Sequence, residues 1–164
     1  MDPVFVRPAC AEDAATMARV HVGSWRETYR GLMSEAVLDD PDLLPARERF
    51  WRSALTDDRW AGNRVAVAEV GGEVIGIAMS GPPQDTDATW PLQLYVLYVL
   101  SAHHGSGAGS ALLEAVIDQH ESAALWVADP NPRARAFYAK SGFVADGLVK
   151  DDDGVRAIRM VRTT

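Results

Sequence analysis

The chain has 164 residues, 48% hydrophobic, 24% charged and 8% aromatic, which supplies one buried core and is too short for two ordinary domains. With 16 Lys and Arg against 23 Asp and Glu the formal charge is -7, a sign that repels nucleic acid and anionic lipid. A single domain over residues 1–164 is expected, with neither nucleic acid nor membrane as a partner.

The longest apolar run, Leu94 to Leu100, is far below the roughly 20 residues of a membrane-crossing helix. The opening Met-Asp-Pro-Val-Phe-Val-Arg lacks the basic and then apolar order of an export signal. Cys10 is the only cysteine, so no internal disulfide can form, and without Cys/His clusters there is no zinc signature. The expected compartment is the reducing cytoplasm, and no metal is expected.

In chain order, Val4-Phe5-Val6 predicts a strand that ends at Pro8. Ala14, Met17, Ala18, His21, Val22 and Trp25 then recur at helical spacing. Gly31 ends that helix. Ser34 can cap a short second one that stops at Asp39-Asp40-Pro41, and a third is expected near Ala46 to Leu55. Cys10, a weak capping residue near the first helix start, should be slightly destabilising there. Arg64 to Val70 and Glu73 to Ser80, rich in Val, Ile and Ala, flank Gly71-Gly72 and read as a hairpin. A polar loop, Gly81 to Pro91, leads to Leu92–Leu100, whose near-continuous apolar character suits a central strand covered on both faces. Ala111, Leu112, Ala115, Val116 and Gln119 trace a helix ending near His120-Glu121, and Ala124 to Ala128 is a short strand. Asn131 to Ser141 reads as a helix closed by Gly142. Strands Phe143 to Val149 and Val155 to Val161 follow, around a turn at Asp151-Asp152-Asp153-Gly154.

Between the central strand and the next helix lies His103-His104-Gly105-Ser106-Gly107-Ala108-Gly109-Ser110. Glycines there leave backbone N–H groups unobstructed at a helix N-terminus, a combination that suits a pyrophosphate. A Walker-type phosphate loop would need Lys-Ser/Thr after the last glycine, and Ser110-Ala111 stands there instead. A dinucleotide fingerprint would need Gly or Ala where Leu112 stands, although Asp129 lies about 20 residues on, so that reading remains as an alternative.

Three segments in this order resemble the GCN5-related N-acetyltransferases. His104-Gly105-Ser106-Gly107-Ala108-Gly109 fits the family's Gln/Arg-x-x-Gly-x-Gly/Ala with His in first place. The strand ending Leu97-Tyr98-Val99 corresponds to the family's fourth strand. Asn131-Pro132-Arg133-Ala134-Arg135-Ala136-Phe137-Tyr138-Ala139-Lys140-Ser141-Gly142-Phe143 looks like its Asn-x-x-Ala-x-x-Phe-Tyr-x-x-x-Gly-Phe. The resemblance runs from Val6-Arg7-Pro8-Ala9 to the C-terminal hairpin. It implies an α/β (α+β) fold: a mixed, mostly antiparallel sheet of six to seven strands, flanked by four to five helices, with a bulge and a V-shaped splay between strands four and five.

It also implies acetyl-CoA as co-substrate, no metal, and acetyl transfer to a primary amine of a small molecule or peptide by direct attack in a ternary complex. Homodimers are common in the family, so a homodimer is an expected assembly that the residues themselves do not specify. The cofactor would lie against Leu97, Tyr98 and Val99, against His104, Gly105, Ser106, Gly107, Ala108, Gly109 and Ser110, and against Asn131, which also suits a helix N-cap. Tyr138 would stand at the sulfur as proton donor, a phenol of pKa near 10 facing a thiolate of similar basicity; packing against the sheet is its other reading. Relatives often carry Glu at the start of the fourth strand, where this chain has Gln93, an amide that accepts no proton at neutral pH. Glu69, on a solvent face, and Asp85 and Asp87, on a mobile loop, are the other candidate bases. Trp25, Glu27 and Tyr29, with Gln93, are the expected acceptor residues, an aromatic pair beside a carboxylate suiting an ammonium; Trp25 and Tyr29 at i and i+4 equally suit a core. The negative field favours cationic acceptors. A rival from another class is a domain that binds acyl-CoA as a sensor without turnover.

Overall fold

The computed structural model describes residues 2–152 and 154–164. Strand β1 (Val4–Pro8) and a 3-10 turn (Ala11–Asp13) precede helix α1 (Ala14–Tyr29). Helices α2 (Glu35–Leu38) and α3 (Leu43–Thr56) follow, then strands β2 (Arg64–Val70), β3 (Glu73–Gly81) and β4 (Leu92–Val99). Helix α4 (Ala108–Val116), β5 (Ala123–Ala128), α5 (Pro132–Lys140), β6 (Val144–Asp152) and β7 (Val155–Arg162) complete the chain. The seven strands form one sheet in the order β1-β2-β3-β4-β5-β7-β6. Its pairs are antiparallel except β4 with β5, which run parallel because α4 carries the chain across between them. No helix of the described residues is long and apolar enough to cross a membrane.

Each face of the sheet has its own core. On one, Leu112 and Val116 of α4 and Tyr138 of α5 pack with Ile75, Leu125, Phe143 and Met160. On the other, Met17 and Ala18 of α1 and Trp51 of α3 pack on Val67, Ile77 and Val96. Trp51 is fully buried, and its indole Nε1 donates to Nδ1 of His21 over 3.1 Å. That bond makes Nδ1 the acceptor and leaves the ring proton on Nε2. Burial first, and the charge of Arg47 second, push the His21 pKa down to about 3, so a neutral imidazole is part of this core.

The parallel pairing of β4 with β5 is short: Leu92, Gln93 and Leu94 face Ala123, Ala124 and Leu125, and beyond Leu94 the strands separate. The register of β3 on β4 skips Tyr95, since Met79 faces Val96 and Ser80 faces Leu94. The bulge therefore sits at Tyr95, upstream of the Leu97-Tyr98-Val99 stretch. An extra residue at that point strengthens the local twist and turns the end of β4 away from β5.

Helix boundaries also differ from expectation. Helix α3 starts at Leu43 because Pro45 falls in its first turn, where no intrahelical N–H is required. Helix α4 stops at Val116. Ile117 leaves the helical region at φ -139°, and the Asp118 carboxylate accepts the His120 N–H to form a turn. Strand β6 continues to Asp152, with a register break between Ala145 and Val149. Of the acidic turn after it, Asp153 lies outside the described residues. Asp13 compensates for Cys10 as a weak cap: its carboxylate accepts the Cys10 N–H at 2.8 Å and pairs with Arg7 at 2.8 Å. The Arg7 guanidinium holds the Asp13 carboxyl down at about 2.

Candidate active site

The gap between β4 and β5 opens into a cavity of about 560 Å³, within the range of small-molecule sites. One end is the loop after β4. His104, Gly105, Gly107, Gly109 and Ser110 line it there, and α4 begins at Ala108. Gly105 and Gly107 adopt φ of +79° and +89°, a region other residues reach only under strain, and nothing lies within 4 Å of where a Cβ would stand on either. Gly109 is small for a different reason: a Cβ there would meet the Phe137 ring at 3.3 Å.

Within this loop the N–H groups divide into two sets. Those of His104, Ser106 and Ala108 are spent internally, on Ser101 O, His103 O and Ser106 Oγ. Those of Gly105, Gly107, Gly109 and Ser110 donate to nothing among the described residues. Unpartnered N–H groups at the start of a nine-residue helix form an anion cradle, and the residues present fit a pyrophosphate. His103, Arg133 and Lys140 also line the cavity, and the last two add positive charge around it. Ser106 and Ala108, expected at the cofactor, do not line it: the Ser106 hydroxyl caps the helix start and Ala108 is buried in the core. The His104 imidazole donates through Nε2 to Val99 O over 2.9 Å, which closes the loop onto the end of β4.

The walls come from β4 (Leu97, Tyr98, Val99), β5 (Leu125 to Ala128) and α5. Asn131 lines the cavity and caps α5, its Oδ1 accepting the Ala134 N–H at 3.3 Å. Tyr138 lines it from α5, with Phe137 and Phe143 packed edge-on against its ring. Burial, then the nearby Tyr29 phenol, raises the Tyr138 hydroxyl well above the ordinary phenol range. It therefore holds its proton more tightly than an exposed tyrosine, and the same dry surroundings would raise a thiol placed beside it.

At the far end, Ser24, Thr28 and Tyr29 of α1 meet Tyr95 and Tyr98 of β4 and Trp126 of β5. Of the four expected acceptor residues, Tyr29 is in the cavity wall. The structure gives the other three different tasks. The Trp25 indole donates to the Tyr98 hydroxyl over 2.9 Å and is covered on one face by Arg47 at 4.5 Å. Glu27 takes the backbone N–H and the hydroxyl of Ser101, pinning the turn that follows β4 to the end of α1. Gln93 is buried, with Oε1 accepting the Gln84 N–H at 3.0 Å, so it anchors the loop before β4.

The other candidate bases are also engaged. Glu69 pairs with Arg7 at 2.8 Å in a half-buried bridge, where a solvent face was expected. Asp85 and Asp87 lie on a loop that is tied down, because Arg159, 5% exposed in its side chain, holds them at 3.2 and 2.8 Å. The Arg159 guanidinium also reaches Asp146 and stacks over Trp90 and Trp126. Among the described residues, no group of three or more His, Cys, Asp or Glu side chains is placed to hold a metal.

Sequence reading missed Ser24, Tyr95, Trp126 and Lys140 as cavity residues. Trp126 is the half-buried position in an otherwise buried strand, which periodicity cannot distinguish from a packing defect.

Residues 24–143 match the family model described as acetyltransferase (GNAT) family. The chain is 33% identical over 151 residues to a protein named a probable N-acetyltransferase from Mycobacterium tuberculosis, covering 88% of this chain and 82% of that one. It is 30% identical over 162 residues to the uncharacterized N-acetyltransferase YuaI of Bacillus subtilis, covering 96% and 88%. Among solved structures it is similar to the PaiA N-acetyltransferase of Thermoplasma acidophilum in complex with coenzyme A, with TM-score 0.74, 20% identity and coverage of 98% and 99%.

Proposed function

The chain belongs to the acetyltransferase (GNAT) family, and from that premise we propose that it transfers an acetyl group from acetyl-CoA to a primary amine of a small molecule or peptide by direct attack in a ternary complex. The observation that carries this reading is the arrangement of one cavity. Four unpartnered N–H groups stand at one end, the Tyr138 phenol in its wall, and an aromatic, hydroxyl-rich surface at the other.

Acetyl-CoA supplies the acetyl group as a thioester, whose sulfur departs as the new C–N bond forms. Gly105, Gly107, Gly109 and Ser110 hold the pyrophosphate through backbone N–H groups, and Arg133 and Lys140 add charge attraction. The backbone of Leu97, Tyr98 and Val99, left without a β5 partner by the splay, lies along the pantetheine arm, with Asn131 opposite. Tyr138 keeps its proton through the neutral pH range and gives it to the sulfur.

Two measurements test this. Acetyl-CoA and CoA should raise the thermal midpoint, because a ligand that binds only the folded state stabilises by RT ln(1 + [L]/Kd), about 2.7 kcal/mol at a hundredfold excess over Kd. Thiol release that depends on added amine should follow. Stabilisation by NAD alone would refute the reading.

A further inference from the structure

Resting on the acetyl-transfer reading, we infer that the acceptor is a weakly basic amine that enters uncharged, of the kind found at the α-amino group of an amino-acid amide or peptide. The far end of the cavity is made of neutral hydroxyls. Ser24 Oγ is buried in that wall and has no hydrogen-bond partner among the described residues. Thr28 lies one helical turn on, followed by Tyr29. The Tyr98 hydroxyl accepts from Trp25 and faces the Tyr29 phenol, which leaves its own proton for Tyr29. These groups can bond an amine N–H and a neighbouring carbonyl oxygen, and none of them carries a charge.

No Asp or Glu among the described residues lines the cavity. The carboxylates that surround it are spent: Glu27 on Ser101, and Asp85 and Asp87 on Arg159. Asp152 of β6 does not line the cavity, although its charge reaches Tyr29, and His21, 5.2 Å from the Tyr98 ring, is held neutral. Desolvating a cation here would lack compensation.

The proton balance gives the same answer. When a neutral amine forms the C–N bond, the nitrogen loses one proton and the departing sulfur gains one, so Tyr138 can pass a proton on and recover it. An ammonium would leave a second proton with no carboxylate in the cavity to take it.

The test compares alaninamide with sec-butylamine, matched in branching, by thiol release from acetyl-CoA at pH 7.0 and 9.5. Reference pKa values near 8 and 10.4 make the uncharged fraction at pH 7 roughly 200- to 400-fold larger for an α-amine than for an alkylamine. Greater intrinsic nucleophilicity of the alkylamine offsets part of this, so kcat/KM should favour alaninamide by more than tenfold at pH 7.0. The preference should shrink at least tenfold by pH 9.5. Ser24→Ala should raise KM for alaninamide while the thermal shift with acetyl-CoA stays unchanged. Equal kcat/KM for the two amines at pH 7.0, or an alkylamine rate that does not rise with pH, overturns this inference and leaves acetyl transfer standing. Release with no amine in a wider panel, despite stabilisation by acetyl-CoA, overturns acetyl transfer and this inference with it.

Discussion

The two ends of the cavity are built from different material. At the phosphate end, the groups that point inward are backbone N–H groups of one continuous loop, Gly105 to Ser110, and side chains there are small or turned away. At the other end they are side chains delivered by α1, β4 and β5, some of them oriented by a partner distant in the chain, as Tyr98 is by Trp25 and Trp126 by Asp85. A backbone site tolerates replacement of side chains provided φ is preserved. A side-chain site depends on every group that supports it.

The largest effect that separates the two ends should come from Tyr138, in the wall of the same cavity. Tyr138→Phe keeps the ring that packs on Phe137 and Phe143 and removes only the hydroxyl. The expected result is a fall in kcat of about 10²- to 10⁴-fold with an unchanged acetyl-CoA thermal shift. Full retention of kcat would assign the proton to another donor.

Next in size is acid sensitivity of the acceptor end. Unfolded His21 titrates near 6.5 and the folded residue near 3, so in that interval the unfolded state binds the proton and the folded state does not. Stability should therefore fall as pH drops from about 6.5 toward 3, by on the order of 4 kcal/mol, as read by denaturant melts across pH. Asp13, whose folded pKa is lowered to about 2, adds a separate loss as pH falls from about 4 to 2. His21→Gln, which retains an acceptor for the Trp51 indole, should flatten the upper part of the profile alone.

A smaller change tests the loop. Gly107→Val places a branched side chain at φ +89° and fills the open space beside the cradle. It should cost about 1–3 kcal/mol in stability and weaken CoA at least tenfold by calorimetry, leaving the preference among amines unaltered. The smallest effect is expected from Trp25→Phe, which removes the N–H that orients Tyr98. KM for the acceptor should rise several-fold, in line with about 0.5–1.5 kcal/mol for one hydrogen bond, while CoA affinity stays constant. A change in CoA affinity would show the two ends to be coupled.

Legibility in the sequence followed the same division. The hairpin at Gly71-Gly72, the glycine loop and the Asn131-to-Phe143 helix were all readable, because turns, caps and backbone cradles depend on local φ and ψ and on residues near in sequence. The acceptor end was not. Glu27, Trp25 and Gln93 have the chemistry of substrate-binding groups, but Ser101, Tyr98 and Gln84, distant in sequence or across a turn, occupy their hydrogen-bonding atoms. Asp85 and Asp87 gave no sign of being held, since their partner Arg159 is more than 70 residues away. The amino-acid sequence by itself determined the order of elements and the glycine loop with its free N–H groups, both set by short-range backbone preferences. Only the tertiary structure decided which polar side chains remain free to meet a ligand, because that depends on partners brought together by the sheet.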